Sequence, residues 1–391
     1  MNKFNILKQM VPNTVKTTVK SMPVVKHWRE RQNLLEEYDN IVSGVYDPQV
    51  KVPTDHIDIA EIEINRNCNI NCVMCNTSLS TRPQFNMDLA LFEHAVKLVK
   101  NTETKETSLH TIGEPLMNNN LPMYFEILRK HGVKIRFSTN GLILHKRLDL
   151  LIEYADILSE FRFSIDGASK ETYEKIRFGG NWERLMMNVE EFREKTDGGK
   201  IFERVRIGSI VSEDVRHELA YHLKFWSRYT PMDMIDMNLV SGLSPDNTYF
   251  LTQSILKNHI VPWPPCSMLF GTSVHVLNDG RTTACCRDYN GDLVYGNIRD
   301  SSPKDLLNND NIVELRRQHL EHRIPKGSLC ASCFCINPVV SQLFKLFVSG
   351  LVERFSNNWD VPKMQSRFDE FFAMFLEGIP DRDQFSTLVR S

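Results

Sequence analysis

The sequence lacks a long apolar segment and an excess of charge of either sign. No apolar run is long enough to span a bilayer, and the N-terminus has no compact apolar core of the kind that secretory signals carry. The 391 residues include 47 Lys and Arg against 49 Asp and Glu, so no overall basic field favours nucleic acid. We therefore expect a cytoplasmic protein that does not bind nucleic acid.

The first 29 residues lack acidic side chains but contain several lysines. Apolar residues are roughly aligned between them, although Pro12 and Pro23 interrupt the pattern. We interpret residues 1–56 as a basic helical extension that is flexible or docked on the protein. Peripheral contact with a membrane surface is the alternative interpretation.

Residues 57–240 alternate short β-branched or apolar runs with longer segments of helical period. The predicted strands are 59–65, 107–110, 133–138, 157–164, 204–211 and 234–240. Predicted helices between them include 89–99, 124–130, 182–194 and 218–228. Repeated β-α units indicate a parallel sheet with helices outside it, so the fold class is α/β with a partial (β/α)6 barrel.

Beyond residue 240 the pattern changes to a loop-rich stretch that contains Pro262, Pro264 and Pro265, so we place a domain boundary near 241–262. A hairpin is predicted next, with one short run, 273–277, before Asn278-Asp279-Gly280 and another, 281–285, after it. Residues 241–338 thus form a small cysteine-rich domain. Residues 339–391 form a helical C-terminal tail, whose apolar stripe is expected to pack against the barrel or a partner subunit.

The nine cysteines are clustered, and in a reducing compartment they are not expected to form disulfides. Cys68, Cys72 and Cys75 form a CxxxCxxC pattern directly after the first predicted strand. Thiolates suit either an iron–sulfur cluster or zinc. A structural zinc site normally has a fourth protein ligand, and the nearest candidate, His110, lies a whole β-α unit away. Two interpretations remain at this point: a cluster with one open iron, or a structural metal with a distant fourth ligand.

Unusual residues also follow the next three predicted strands. They are Gly113-Glu114-Pro115, Ser138-Thr139-Asn140-Gly141 and Ser164-Ile165-Asp166-Gly167. Ligand sites in α/β folds gather at the carboxyl ends of strands, so these motifs and the cysteine loop are expected on one rim. Each motif alone also makes an ordinary strand-ending turn.

In this order after the cysteine triad, the motifs resemble those of the radical S-adenosylmethionine superfamily. The resemblance implies that Cys68, Cys72 and Cys75 hold a 4Fe-4S cluster whose open iron binds S-adenosylmethionine. An electron from a donor such as flavodoxin or ferredoxin would then cleave S-adenosylmethionine to methionine and a 5′-deoxyadenosyl radical, which abstracts hydrogen from substrate. The implied S-adenosylmethionine contacts are Met74, Gly113, Glu114, Ser138, Asn140, Ser164, Asp166 and Arg177.

The resemblance also assigns roles within this set. Gly113-Glu114 corresponds to a turn near the methionine amino group, with Ile112 where the family usually has another glycine. Arg177 is expected to reach the methionine carboxylate, since a planar guanidinium matches a planar anion. The serines, Asn140 and Asp166 line the ribose and the carboxylate, and the backbone of Met74 meets the adenine.

A second cysteine set follows the barrel. A hairpin that carries Cys285, together with Cys266 and the later pair Cys330 and Cys333, can close four-ligand coordination around zinc or an iron–sulfur cluster. The region resembles the twitch module, a shortened SPASM domain, which implies that these four cysteines bind an auxiliary 4Fe-4S cluster. Cys286 and Cys335 are spare, and Cys286 is the alternative to Cys285.

An auxiliary cluster with four protein ligands implies electron transfer, which suits an oxidoreductase. The cysteine pattern resembles that of aminocyclitol-oxidising members of the superfamily, so we expect dehydrogenation of a sugar- or cyclitol-like alcohol. The alternative is epimerisation or cross-linking of a ribosomal peptide. A hypothesis of another class is a non-catalytic, metal-stabilised binding scaffold. The sequence assigns no catalytic residue.

Overall fold

The structure is a computed structural model that describes residues 23–43, 49–52, 57–240, 247–262, 266–355 and 359–390. Helix α1 (Pro23–Ser43) is the first described element. The basic segment of residues 1–22, and with it the alternative of membrane contact, lies outside the described residues. No helix in the described ranges is long and apolar enough to cross a membrane.

A parallel sheet with helices outside it forms the centre of the molecule. Its parallel strands are β1 (Asp58–Ile62), β2 (Glu106–Ser108), β3 (Lys134–Thr139), β4 (Leu158–Ser164), β5 (Val205–Val211) and β6 (Ile235–Leu239). The helices between them are α2 (Leu89–Lys100), α3 (Leu121–His131), α4 (Leu148–Glu153), α5 (Lys170–Ile176), α6 (Trp182–Lys195) and α7 (Leu219–Trp226). Consecutive strands from β1 to β6 pair side by side, which confirms the predicted α/β fold and partial barrel.

Strand β4 illustrates why this sequence forms a two-sided sheet. Phe161 and Phe163 point towards the helices, where both rings pack on Phe192 of α6 at centroid distances of 4.8 and 5.1 Å. Side chains alternate along a strand, so Glu160 and Arg162, which alternate with the two phenylalanines, face the interior of the barrel. The barrel interior is therefore polar, and the apolar core lies between strands and helices.

The helices have local start and stop signals. The carboxylate of Asp88 accepts hydrogen bonds from the first backbone N–H groups of α2. Helix α3 ends at Gly132, whose φ of 65° is the left-handed conformation that favours glycine.

The cysteine-rich region follows the barrel in sequence, and it also adds strands to the barrel sheet. Its elements are α8 (Tyr249–Gln253), β7 (Ile260–Pro262), α9 (Ser267–Phe270), β8 (Ser273–Val276), β9 (Arg281–Thr283), β10 (Val294–Asn297), α10 (Pro303–Leu307), α11 (Asp310–Leu320) and β11 (Phe334–Ile336). Strand β8 pairs parallel with β1, and β9 and β10 continue the sheet in antiparallel fashion. The predicted hairpin thus covers the edge of β1, whose backbone groups would otherwise lie unpaired. Strands β7 and β11 form a separate ribbon.

The tail is helical, as predicted, and comprises α12 (Pro338–Phe355), α13 (Val361–Glu377) and α14 (Arg382–Arg390). The apolar stripe of α12 is buried, and this helix lies against β6 and β11. Phe371 of α13 stacks with Phe347 of α12 at 4.7 Å and with Phe375 at 4.2 Å. Of the two expected docking sites, the tail uses the barrel of its own chain.

Candidate functional site

The first cysteine loop follows β1 and is tied to the end of α5. The backbone N–H of Asn71 donates to the carbonyl of Phe178 at 2.8 Å, and that of Val73 donates to Ile176 at 2.9 Å. Cys75 N–H donates to the Cys72 carbonyl at 2.9 Å, which closes a tight turn. The loop therefore has a defined backbone course at the carboxyl end of the sheet.

Each thiol of this loop receives a nitrogen donor. Asn140 Nδ2 lies 3.8 Å from Cys68 Sγ, Arg177 Nη1 lies 3.5 Å from Cys72 Sγ, and Thr77 N lies 3.5 Å from Cys75 Sγ. Such donors stabilise the thiolate, which is the form that binds iron.

Burial opposes these hydrogen bonds. It raises the pKa of Cys68 to about 12, with further contributions from Glu114 and the other two thiols. Burial also raises the pKa of Cys72, while Arg177 acts in the opposite direction. The three sulfurs are close enough to affect one another, and a bound metal would draw off their protons.

Gly113 and Glu114 join the ends of the first three strands. Gly113 has a φ of 92°, and a Cβ there would lie 2.8 Å from the carbonyl oxygen of Asn65. The buried Glu114 carboxylate accepts hydrogen bonds from the Thr139 hydroxyl at 2.8 Å and from Asn140 N at 2.7 Å. Burial raises the pKa of Glu114 to about 7. In this structure Glu114 thus positions Asn140, which in turn donates to Cys68.

Asp166, at the end of β4, holds Arg177. Its carboxylate is fully buried and lies 2.7 Å from Arg177 Nε, and it also accepts from Ile210 N at 2.6 Å. The guanidinium therefore spans the distance between Asp166 and Cys72. Ser138 and Ser164 lie at the ends of β3 and β4, and Met74 lies within the cysteine loop.

A later segment also reaches this loop, and the sequence did not reveal it. Asn247 Nδ2 donates to the carbonyl of Val73 at 3.3 Å and to Asn76 Oδ1 at 3.1 Å. Tyr249 donates its hydroxyl to Asp214 at 2.9 Å. The segment follows a loop-rich stretch without a motif, so sequence spacing alone carried no signal for it.

The second cysteine set surrounds one cavity of about 490 Å³. Cys266 precedes α9, and Cys285 and Cys286 follow β9, while Cys330 and Cys333 flank a short turn before β11. The cysteines that line the cavity are Cys266, Cys285, Cys330, Cys333 and Cys335. A hydrogen bond from Cys286 lowers the pKa of Cys285 to about 7. Cys285 lines the cavity and Cys286 is not among its lining residues, which supports the prediction of Cys285 as the ligand.

Within the described residues, no three Cys, His, Asp or Glu side chains converge closely enough for a single metal ion.

A buried ion pair connects the two cysteine sites. Arg82 lies beyond Cys75 in the chain, and its guanidinium makes two contacts with Glu63 of 2.7 and 2.8 Å. It also donates to Asn278 at 3.1 Å and to the carbonyl of Tyr289 at 2.9 Å, both in the auxiliary region. The segment that follows the first cysteine loop is therefore fixed to the hairpin region that carries Cys285.

The barrel interior contains a ring of paired charges. Asp236 of β6 lies 2.6 Å from Arg162 and 3.0 Å from Arg206, and Glu160 lies 3.1 and 3.0 Å from the same two arginines. The ring is formally neutral, so these side chains compensate one another. Ser209 of β5 instead faces α7, where it contacts His222 Nε2 at 2.7 Å.

Comparisons with known proteins agree with the order of these parts. Residues 62–202 match the model of the radical SAM superfamily, and residues 266–334 match the SPASM model, an iron–sulfur cluster-binding domain. The chain is similar to the S-adenosyl-L-methionine-dependent 2-deoxy-scyllo-inosamine dehydrogenase of Niallia circulans, with 23% identity over 281 residues. The alignment covers 70% of this chain and 91% of that protein.

Two solved structures share the fold. One is SuiB of Streptococcus suis bound to the precursor peptide SuiA, with a TM-score of 0.51 at 13% identity, covering 84% of this chain and 77% of that one. The other is anSMEcpe with bound AdoMet, with a TM-score of 0.51 at 16% identity, covering 80% of this chain and 99% of that one. At such identities the likeness concerns the fold alone.

Proposed function

Because the chain belongs to the radical SAM superfamily and carries a SPASM-type domain, we propose that it oxidises an alcohol of a sugar- or cyclitol-like substrate. The two domains make the chain an enzyme that uses S-adenosylmethionine, a 4Fe-4S cluster and an auxiliary cluster. The observation that supports the oxidation is the second cysteine set, in which five cysteines, including the four proposed ligands, line one cavity. The dehydrogenase from Niallia circulans supports it weakly, at 23% identity.

In this proposal Cys68, Cys72 and Cys75 hold the first cluster, which supplies the electron for cleavage of S-adenosylmethionine. Arg177 and Asn140 donate hydrogen bonds to the sulfurs and stabilise their thiolate form. Neighbouring carboxylates fix both donors, since Asp166 pairs with Arg177 and Glu114 accepts from Asn140. The proposed contacts of S-adenosylmethionine are Met74, Gly113, Glu114, Ser138, Asn140, Ser164, Asp166 and Arg177.

Cys266, Cys285, Cys330 and Cys333 hold the auxiliary cluster in the same proposal. Four protein ligands leave no open position for substrate, so this centre supplies an electron acceptor. The substrate would lie in the remaining part of the cavity, towards Asn238 at the end of β6. An electron donor such as flavodoxin or ferredoxin would complete the cycle.

Anaerobic reconstitution separates these roles. Reduced enzyme with S-adenosylmethionine should form 5′-deoxyadenosine, and the Cys68→Ala, Cys72→Ala, Cys75→Ala triple variant should form none. The Cys330→Ala, Cys333→Ala double variant should lose about four irons per chain and the oxidised product, but keep 5′-deoxyadenosine formation. A double variant that loses no iron would contradict the auxiliary cluster assignment.

Peptide modification is the second candidate, because Cys335 lines the same cavity without being needed as a ligand. A thiol in that position could return a hydrogen atom to a substrate radical, as an epimerase requires. Cys335→Ala should then abolish deuterium incorporation into a peptide while leaving S-adenosylmethionine cleavage intact. A neighbouring gene for a short precursor peptide would favour this candidate, whereas sugar or aminocyclitol genes favour the dehydrogenase.

A further inference from the structure

Helix α12 lies beyond both matched domains and contributes one wall of the auxiliary cavity. Its buried apolar side faces the rest of the protein, and Ser341, Gln342 and Lys345 line the cavity. These residues are spaced by one and three positions, so they share one face of the helix. The apolar side of the helix therefore packs into the protein, and its polar side faces the cavity.

The same helix face continues along β6. A second cavity of about 320 Å³ is lined by Ser349 of α12 and by Asp236 of β6. Asn238 and Lys345 line both cavities. Lys345 therefore stands where the barrel edge meets the space next to the auxiliary cysteines. The second cavity alone, at about 320 Å³, is in the size range of small-molecule sites, so the cluster can occupy the cysteine-lined part of the first.

Apart from its cysteines, the charged lining of the larger cavity is basic. Its charged side chains among the described residues are Arg287 and Lys345, and it has no described Asp or Glu. The arginines of the barrel interior are neutralised by Glu160 and Asp236. Lys345 has no ion-pair partner among the residues that the structure describes. Its ammonium group is left available for a ligand.

We infer that Lys345 binds an anionic group, a phosphate or a carboxylate, on a small polyhydroxylated substrate that occupies this cavity. The inference rests on the proposed alcohol oxidation and adds the charge of the substrate. An ammonium on a flexible stem is a common phosphate ligand, while Asn238, Ser341 and Gln342 supply hydrogen-bonding groups for hydroxyls. A cationic aminocyclitol meets like charge in the same place.

Charge balance for the auxiliary cluster is the competing explanation of this lysine, because a cluster with four thiolates carries net negative charge. The two explanations differ in what removal of the ammonium changes. An anion-binding lysine governs substrate affinity and leaves the reduction potential of the cluster nearly unchanged. A balancing lysine alters the potential and leaves affinity unchanged.

The test uses the reconstituted holoenzyme with S-adenosylmethionine and Lys345→Met, which keeps the chain length and removes the charge. Lys363→Met, an exposed lysine on α13, is the matched control. Calorimetric titrations use myo-inositol 1-phosphate, glucuronate, myo-inositol and the aminocyclitol 2-deoxystreptamine. We expect one of the two anions to bind at least tenfold more tightly than the neutral and cationic probes, and the better anion identifies phosphate or carboxylate. Lys345→Met should remove this preference, and Lys363→Met should retain it.

Several outcomes would overturn the inference. They are unchanged anion affinity in Lys345→Met, tightest binding of 2-deoxystreptamine, and a shifted auxiliary potential with unchanged affinity. The proposed function fails separately, since it requires 5′-deoxyadenosine and an oxidised product from the same preparations. Anion preference without oxidation would leave Lys345 assigned and the oxidation rejected.

Discussion

Single residues around the first cysteine loop depend on one another through buried charge. Asp166 is fully buried and Arg177 is 12% exposed, and their side chains meet at 2.7 Å. Asp166→Asn would leave the arginine buried without a full counter-charge, so we expect unfolding free energy to fall by about 3 to 5 kcal/mol. Denaturant unfolding under anaerobic conditions measures this change.

A matched control for that variant is Glu183→Gln, which breaks an exposed pair with Lys170. Exposed pairs are worth little, so its unfolding free energy should change by less than about 1 kcal/mol. The Asp166→Asn variant should also retain less iron, because Arg177 no longer has a fixed position beside Cys72. Equal effects of the two variants would show that the buried pair has no special role.

The same residues show how far the sequence predicts a site. The triad and the motifs with Glu114 and Asp166 were recognisable because each follows a strand at a fixed place in a repeating pattern. The partners of those side chains could not be predicted from the sequence, because contacts such as that of Glu114 with Asn140 depend on packing between strands.

At the scale of elements, the segment after the first cysteine loop is joined to the auxiliary hairpin by Arg82. Its guanidinium is bound by Glu63 and Asn278, so Arg82→Met leaves a buried carboxylate unpaired. We expect a loss of about 3 to 5 kcal/mol in unfolding free energy and more 5′-deoxyadenosine formed per oxidised product. Arg281→Met, which removes a half-exposed pair with Asp279, should leave that ratio near the wild-type value.

Arg82→Lys refines this prediction. Lysine keeps the charge but cannot reproduce the two parallel contacts with Glu63. If the relative orientation of the two cysteine sites controls coupling, Arg82→Lys should still form more 5′-deoxyadenosine per oxidised product than the wild type. It should also be more stable than Arg82→Met. Wild-type product ratios in both variants would contradict a positioning role for this pair.

Element types were easier to predict than element partners. All six barrel strands, β1 to β6, were expected from periodicity, with ends that differ from the structure by a few residues. The short helix α5 gives only a weak signal, because seven residues form under two turns of apolar pattern. The pairing of β8 with β1 was not predicted, because it joins segments more than 200 residues apart in sequence.

At the scale of the whole molecule, the C-terminal tail is packed as part of the core. Phe371 is fully buried and contacts Phe347 and Phe375. The tail also covers α1, where the Tyr38 hydroxyl donates to the carbonyl of Pro380 at 2.6 Å. A wall of the proposed substrate cavity therefore depends on a phenylalanine cluster that lies outside both matched domains.

Phe371→Ala tests this dependence. Loss of a buried ring leaves a cavity, so we expect unfolding free energy to fall by about 3 to 5 kcal/mol. Leu376→Ala, at a half-exposed position on the same helix, should change it by less than about 1 kcal/mol. If tail and barrel share one core, the variant should unfold in a single transition at lower denaturant concentration, since no unit can lose its packing alone. A separate early transition, with the barrel at wild-type stability, would instead mean that the tail docks on a barrel that is stable without it.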